Sequence, residues 1–106
     1  MFARLVHMKL KKDAEAQFTR IFEDEVIPIL AKQEGFRHAL TLSAKERSEV
    51  TGISFWSKRQ NAENYNSTVY PDVLKSLSSV IVGTPEVKTF AVTSSTLRKS
   101  PAGQTT

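Results

Sequence analysis

Residues 36–57, FRHALTLSAKERSEVTGISFWS, decide the fold. Residues 36–43 and 50–57 each alternate large apolar side chains with small or polar ones. That is the period of a β-strand, whose successive side chains point to opposite faces. Between them residues 44–48 carry Lys45, Glu46 and Arg47, a short polar link of the kind that closes a hairpin. A hairpin here divides the rest of the chain into two parts, and each part offers one strand and one helical stretch.

Upstream, residues 2–10 alternate as a strand, and Lys11-Lys12-Asp13 breaks the pattern. Asp13 is placed to cap a helix by accepting backbone N–H bonds. Phe18, Ile21, Phe22, Val26, Ile29 and Leu30 then recur at helical spacing and form one apolar stripe. Pro28 lies inside this helix and removes a backbone donor, so the helix should bend or divide there. Gly35 fits a left-handed exit. Downstream, residues 60–66 read as a short helix. Tyr70-Pro71 starts a second piece, with Pro71 in a first-turn position, and Val73, Leu74 and Leu77 continue it. Gly83-Thr84-Pro85 reads as a loop and residues 87–95 as the last strand. The order is β-α-β-β-α-β. Right-handed crossovers make it an α+β, ferredoxin-like domain: an antiparallel four-stranded sheet with both helices on one face. Residues 1–96 form the domain, and residues 97–106 read as a polar, flexible tail.

The chain has 106 residues, which suits one core. It has no cysteine, so disulfide and thiolate chemistry are excluded. Net charge is +4, but the bases are interspersed with acids, so no nucleic-acid partner is expected. No apolar run approaches the ~20 residues that span a bilayer, and residues 1–7 lack a signal peptide's apolar centre. These absences point to a cytoplasmic protein with no membrane association.

Sorting each strand by parity gives two sets. Phe2, Val6, Met8, Leu10, Phe36, Leu40, Leu42, Ile53, Phe55, Phe90 and Val92 are large, and are expected to face the helices. Ala3, Leu5, His7, Ala39, Thr41, Gly52, Ser54, Trp56, Thr89, Ala91 and Thr93 are smaller or semi-polar, and are expected to form the other face. Arg4 and His38 fall in the core set; Arg4 is read as reaching out at the strand end, and a bulge would shift the parity. The second face has few charges and no element left to cover it. A second copy of the chain is the simplest cover, and the small side chains would leave a ligand-sized cavity between the two sheets.

The segment Phe55-Trp56-Ser57-Lys58-Arg59-Gln60-Asn61-Ala62 resembles a "Trp-x-Ser-Lys-x-x-Ala" strand-to-helix signature of antibiotic biosynthesis monooxygenase-like proteins. Val26-Ile27-Pro28-Ile29-Leu30 with Glu34-Gly35-Phe36 is similar to that family's first helix and its exit. The resemblance covers residues 2–96 and implies a dimeric α+β barrel. Haem-degrading members use an Asn on the first strand, a Trp in the second helical region and a His as iron ligand; the matching positions here are His7, Tyr65 and Ser78, or Lys75 on another alignment. Quinone-forming members place an Asn and a Trp four residues apart on the third strand, where this chain has Gly52 and Trp56.

Within the expected cavity His7 is the candidate general base, because imidazole titrates near neutrality. A cofactor-free oxygenase needs a base that turns a phenol or enol into an anion able to react with O₂. Trp56 would stack on an aromatic ligand, Tyr65 and Tyr70 would close the pocket, and Leu5, Thr41 and Ser54 would line it; Arg4 offers a charge for an anionic group, against its reading as a surface cation. His7 and His38 lie on different strands and Glu23, Asp24 and Glu25 are consecutive, so no metal site is expected, and no cofactor motif is present. The resulting reading is a homodimeric, cofactor-independent monooxygenase for a small aromatic or polyketide-like compound. The alternative is a non-enzymatic dimeric module for ligand binding or assembly. An RNA-recognition domain shares the element order, but the strands lack its aromatic signature.

Overall fold

A computed structural model describes residues 1–96; the expected tail, residues 97–106, lies outside the described residues. Strand β1 is Phe2–Leu10, followed by helix α1 (Glu15–Ile21), a π-helical turn (Phe22–Val26) and helix α2 (Ile27–Ala31). Strand β2 (Phe36–Ala44) and strand β3 (Glu49–Trp56) flank a 3₁₀ turn at Lys45–Arg47. Helices α3 (Arg59–Thr68) and α4 (Tyr70–Leu77) lead to strand β4 (Ile81–Ala91). The sheet order is β2-β3-β1-β4, with every neighbouring pair antiparallel. This is the ferredoxin-like α+β arrangement.

The first helical stretch divides as Pro28 requires. Proline has no N–H to donate, and just before it the Ile27 N–H donates to the Phe22 carbonyl five residues back. The wider turn has a packing effect. Phe18, Phe22, Val26 and Leu30 are spaced by four, which in an α-helix drifts about 40° per step. The π turn winds the other way relative to that drift, so Phe18, Val26 and Leu30 all stay buried. Asp13 does not cap α1. Its backbone is left-handed, at φ 58°, Ala14 occupies the cap position, and no side chain caps the helix. Pro71 stands in the first turn of α4, as expected.

Two turns differ from their sequence reading. Gly35 is left-handed at φ +81°, but α2 ends at Ala31, so Gly35 shapes the entry to β2 rather than closing the helix. Residues 83–85 are not a free loop. They lie within β4 as an irregularity between the pairs Lys9↔Val82 and His7↔Glu86, with Gly83 at φ +72°.

The register corrects the assignment of sheet faces. Phe2, Arg4, Val6 and Met8 stand opposite Trp56, Ser54, Gly52 and Val50, and directly opposed residues share a face. Val6, Met8, Leu10, Val50 and Trp56 are buried against the helices. On β1 the large set faces the helices as expected. On β3 the sets are exchanged: Gly52, Ser54 and Trp56 face the helices, while Ile53 and Phe55 face away. A register shift between Phe36 and His38 does the same on β2, sending Ala39 and Thr41 to the helix side and Leu40 and Leu42 outward. On β4, Phe90 stands opposite Ala3 on the open face and is 51% exposed. The open face therefore carries large apolar residues, Leu5, Leu40, Leu42, Ile53, Phe55 and Phe90, together with Ala3, His7, Thr51 and the charged Glu86 and Lys88, rather than the small set expected.

Candidate functional site

Arg4 organises the space between sheet and helices. It is 3% exposed, and so does not reach out at the strand end as its sequence position suggests. Its Nη2 donates to Asn66 Oδ1 at 2.8 Å. The guanidinium lies 4.1 Å from the Tyr70 ring centre and 5.1 Å from that of Tyr65. Cation–π contacts of this kind are worth about 2 kcal/mol or more when desolvated. Among the described residues no carboxylate pairs with it. Its Nε and the Tyr70 hydroxyl are buried with no acceptor for their protons among the described residues.

Both side chains line one pocket of about 40 Å³. Its floor is the central sheet: Arg4, Val6 and Met8 from β1, Gly52 and Ser54 from β3. One wall is Phe22, Val26 and Leu30 from the first helical stretch. The other is Tyr65 from α3 with Tyr70, Val73 and Leu77 from α4. A Cβ on Gly52 would come no nearer than 3.8 Å to Met8 Cε, so the glycine leaves space over the floor rather than relieving a clash. A pocket of this volume has room for a few waters. A ring system enters only if the helical wall moves.

Behind the pocket the aromatic residues form a continuous row. Phe36 meets Trp56 edge-on at 5.7 Å, Trp56 lies 5.2 Å from Tyr65, and Tyr65 lies 6.2 Å from Tyr70. Trp56 is fully buried, and its indole N–H donates to Ser54 Oγ at 2.9 Å. That bond satisfies a donor whose burial would otherwise cost about 1–3 kcal/mol.

Burial pushes the Tyr65 hydroxyl from its ordinary 10.0 up to about 12, with the Arg4 charge opposing. Burial also raises Tyr70, again against Arg4, and lowers Arg4 itself against the pull of the two tyrosines. The Tyr65 shift makes stability depend on pH. Below pH 10 the hydroxyl is protonated in both states. Between pH 10 and about 12 the unfolded chain loses the proton and the folded chain keeps it. Stability therefore falls across that window, by about 3 kcal/mol in all. Urea titrations at pH 9, 10.5 and 11.5 should show this loss, and Tyr65→Phe should flatten it. An equally steep loss in the variant would assign it to another group.

The sheet separates the residues singled out in the sequence. Ser54, Trp56 and Tyr65 come together on the helix side, next to Arg4. Thr41 stands opposite Gly52 on the same side but is exposed on the edge strand β2. Leu5 and His7 lie on the open face, around a shallow depression with Thr51, Glu86 and Lys88. There His7 Nδ1 lies 3.2 Å from Thr51 Oγ1, and Nε2 is 3.7 Å from Glu49 Oε1, which Arg47 also meets. His7 and Trp56 thus do not share a cavity within the chain, because the parity of β3 is reversed relative to β1. Asn66, which the sequence reading does not single out, completes the cluster with Arg4 and Tyr70. The signal available for Arg4 was a charge at a core-parity position of β1. Among the described residues no group of three or more His, Asp or Glu side chains is placed to hold a metal ion, and no helix is long and apolar enough to cross a membrane.

The chain belongs to the antibiotic biosynthesis monooxygenase family, whose model matches residues 1–90. No curated protein matches the sequence. Among solved structures the chain is similar to SnoaB, a cofactor-independent oxygenase from Streptomyces nogalater (15% identity, TM-score 0.73, covering 90% of this chain and 95% of that one). It is also similar to a monooxygenase from the gene ActVA-Orf6 of Streptomyces coelicolor, solved in complex with nanaomycin D (15%, 0.74, 89% and 88%). A third similar structure is the NE2512 protein of unknown function from Nitrosomonas europaea (14%, 0.75, 96% and 95%). At these identities the likeness establishes the fold.

Proposed function

We propose that this chain is a cofactor-independent monooxygenase that oxidises a small phenolic or polyketide-like aromatic compound in the pocket between its sheet and its helices. The observation that carries this reading is the buried Arg4 guanidinium, with no carboxylate beside it among the described residues, at a largely apolar pocket. A fixed positive charge in a dry site lowers the pKa of a bound phenol or enol and stabilises the anion. Such an anion reduces O₂ itself. For an anthrone, loss of a ring CH₂ proton gives the enolate, and its carbon bonds to O₂ to form a hydroperoxide. The O–O bond then breaks as the second C–H proton leaves, giving C=O and one water. The pocket lining holds no carboxylate or imidazole, so in this scheme solvent takes the first proton. Leu5 and His7, with the apolar residues of the open face, serve the interface of a homodimer.

The test is oxygen uptake with anthrone under ¹⁸O₂. The reading expects quinone formation well above the rate in buffer, with one labelled atom in the product and one in water. A rate equal to buffer would defeat it and favour the non-enzymatic ligand-binding module, which the absence of a lining base also suits. His7→Ala separates the faces: lost turnover in that variant would move the chemistry to the interior between two protomers.

A further inference from the structure

Two donor groups here, Arg4 Nε and the Tyr70 hydroxyl, are buried with no acceptor for their protons among the described residues. Both side chains line the same cavity. Native proteins leave few such groups, and each one calls for a missing partner. The other contacts of Arg4 do not supply it. The Tyr70 hydroxyl lies near enough to the guanidinium for a side-chain hydrogen bond to shift both titrations, which occupies the phenol oxygen but leaves its proton to give, and Asn66 occupies Nη2. Water in the cavity can fill the hydrogen bonds but cannot balance the charge. An anion does both, and hydrogen bonds to ionised oxygen are the stronger kind.

We propose that Arg4 Nε and the Tyr70 hydroxyl form a two-point anchor for an oxyanion, so that the pocket selects an ionised ring-hydroxyl or enol compound carrying a second, neighbouring oxygen. One oxygen accepts from Arg4 and its neighbour from Tyr70, while Val6, Val26 and Val73 hold the ring. The inference deepens the oxygenase reading and rests on the same pocket. It assigns the pocket's specificity to Arg4 on β1 and Tyr70 on α4.

Binding without turnover tests it. The probes are 2-hydroxy-1,4-naphthoquinone, ionised at neutral pH, and its neutral 2-methoxy analogue, measured anaerobically by calorimetry on the wild-type chain. The hydroxy compound should bind at least about tenfold more tightly. Arg4→Met should erase the preference. The swap exchanges a buried ion for an apolar side chain of similar volume, which proteins often tolerate. Tyr70→Phe should weaken the hydroxy compound selectively, by several-fold. Equal affinities in the wild type, or no binding of either quinone, would overturn the anchor, as would an Arg4→Met variant that keeps the preference. Anion-selective binding with no oxygen uptake would retain the anchor and reject the oxygenase, and uptake with no anion preference would do the reverse.

Discussion

Gly35→Ala should lower the melting temperature by roughly 10–20 °C. The backbone there is left-handed at φ +81°, which costs an ordinary residue about 1–2 kcal/mol. A Cβ would also lie 2.1 Å from Asn61 Oδ1 and 2.7 Å from Asn61 Cβ. Asn61 cannot simply swing away, because its Oδ1 accepts from the Lys58 backbone N–H at the start of α3, and losing such a cap costs about 1 kcal/mol. Together these give about 2–3 kcal/mol, and each kcal/mol moves a domain of this size by about 4–8 °C. The Ser57 N–H, which donates to the Gly35 carbonyl at 2.8 Å, carries the strain to the end of β3. Calorimetry measures the shift. In an Asn61→Gly background, where the colliding atoms and the cap are already gone, Gly35→Ala should cost only the left-handed backbone conformation, about 1–2 kcal/mol. A change below about 2 °C would mean that α3 does not approach the turn this closely.

The double substitution Leu42→Asp with Phe90→Asp should turn the homodimer proposed above into a monomer. These side chains are 56% and 51% exposed on the open face, so the fold of one protomer does not depend on them. With Leu5, Leu40, Ile53 and Phe55 they form the kind of exposed apolar patch that marks an interface. Four carboxylates buried between two copies would cost several kcal/mol, a thousandfold or more in the dimer constant. Light scattering should give twice the chain mass of 11.9 kDa for the wild type and the single mass for the variant. A wild-type monomer at tens of micromolar would defeat the dimer, and a variant that stays dimeric would place the interface elsewhere.

The element order was readable because it rests on local periodicity and on Pro28, Gly35 and Pro71. The faces were not, because alternation yields two sets per strand without saying which one meets the helices. Residue size was a poor guide. Gly52 and Ser54 sit beneath the helices, where Arg4 and the pocket occupy the volume that larger side chains would fill. Leu40, Leu42 and Phe90, though large, lie on the face away from the helices. The shift between Phe36 and His38 is invisible to a period-two reading. Trp56 and Tyr65, expected to stack on a ligand and to close the pocket, meet each other instead, with ring centres 5.2 Å apart and planes tilted by 33°. Arg4 was read as a surface cation since charges are seldom buried; its tyrosine and asparagine partners lie more than sixty residues away in sequence.

The π turn at Phe22–Val26 amounts to one additional residue carried in a helix, placed against the pocket wall. The wide turn absorbs that residue, so Val26 and Leu30 stay on the buried face. Deleting a single residue there, among the exposed Glu23, Asp24 and Glu25, would narrow the turn to α-helical width and leave Leu30 on the pocket, with Pro28 still interrupting the backbone ladder. The length of this segment can thus change by one residue on its solvent side without reshaping the wall.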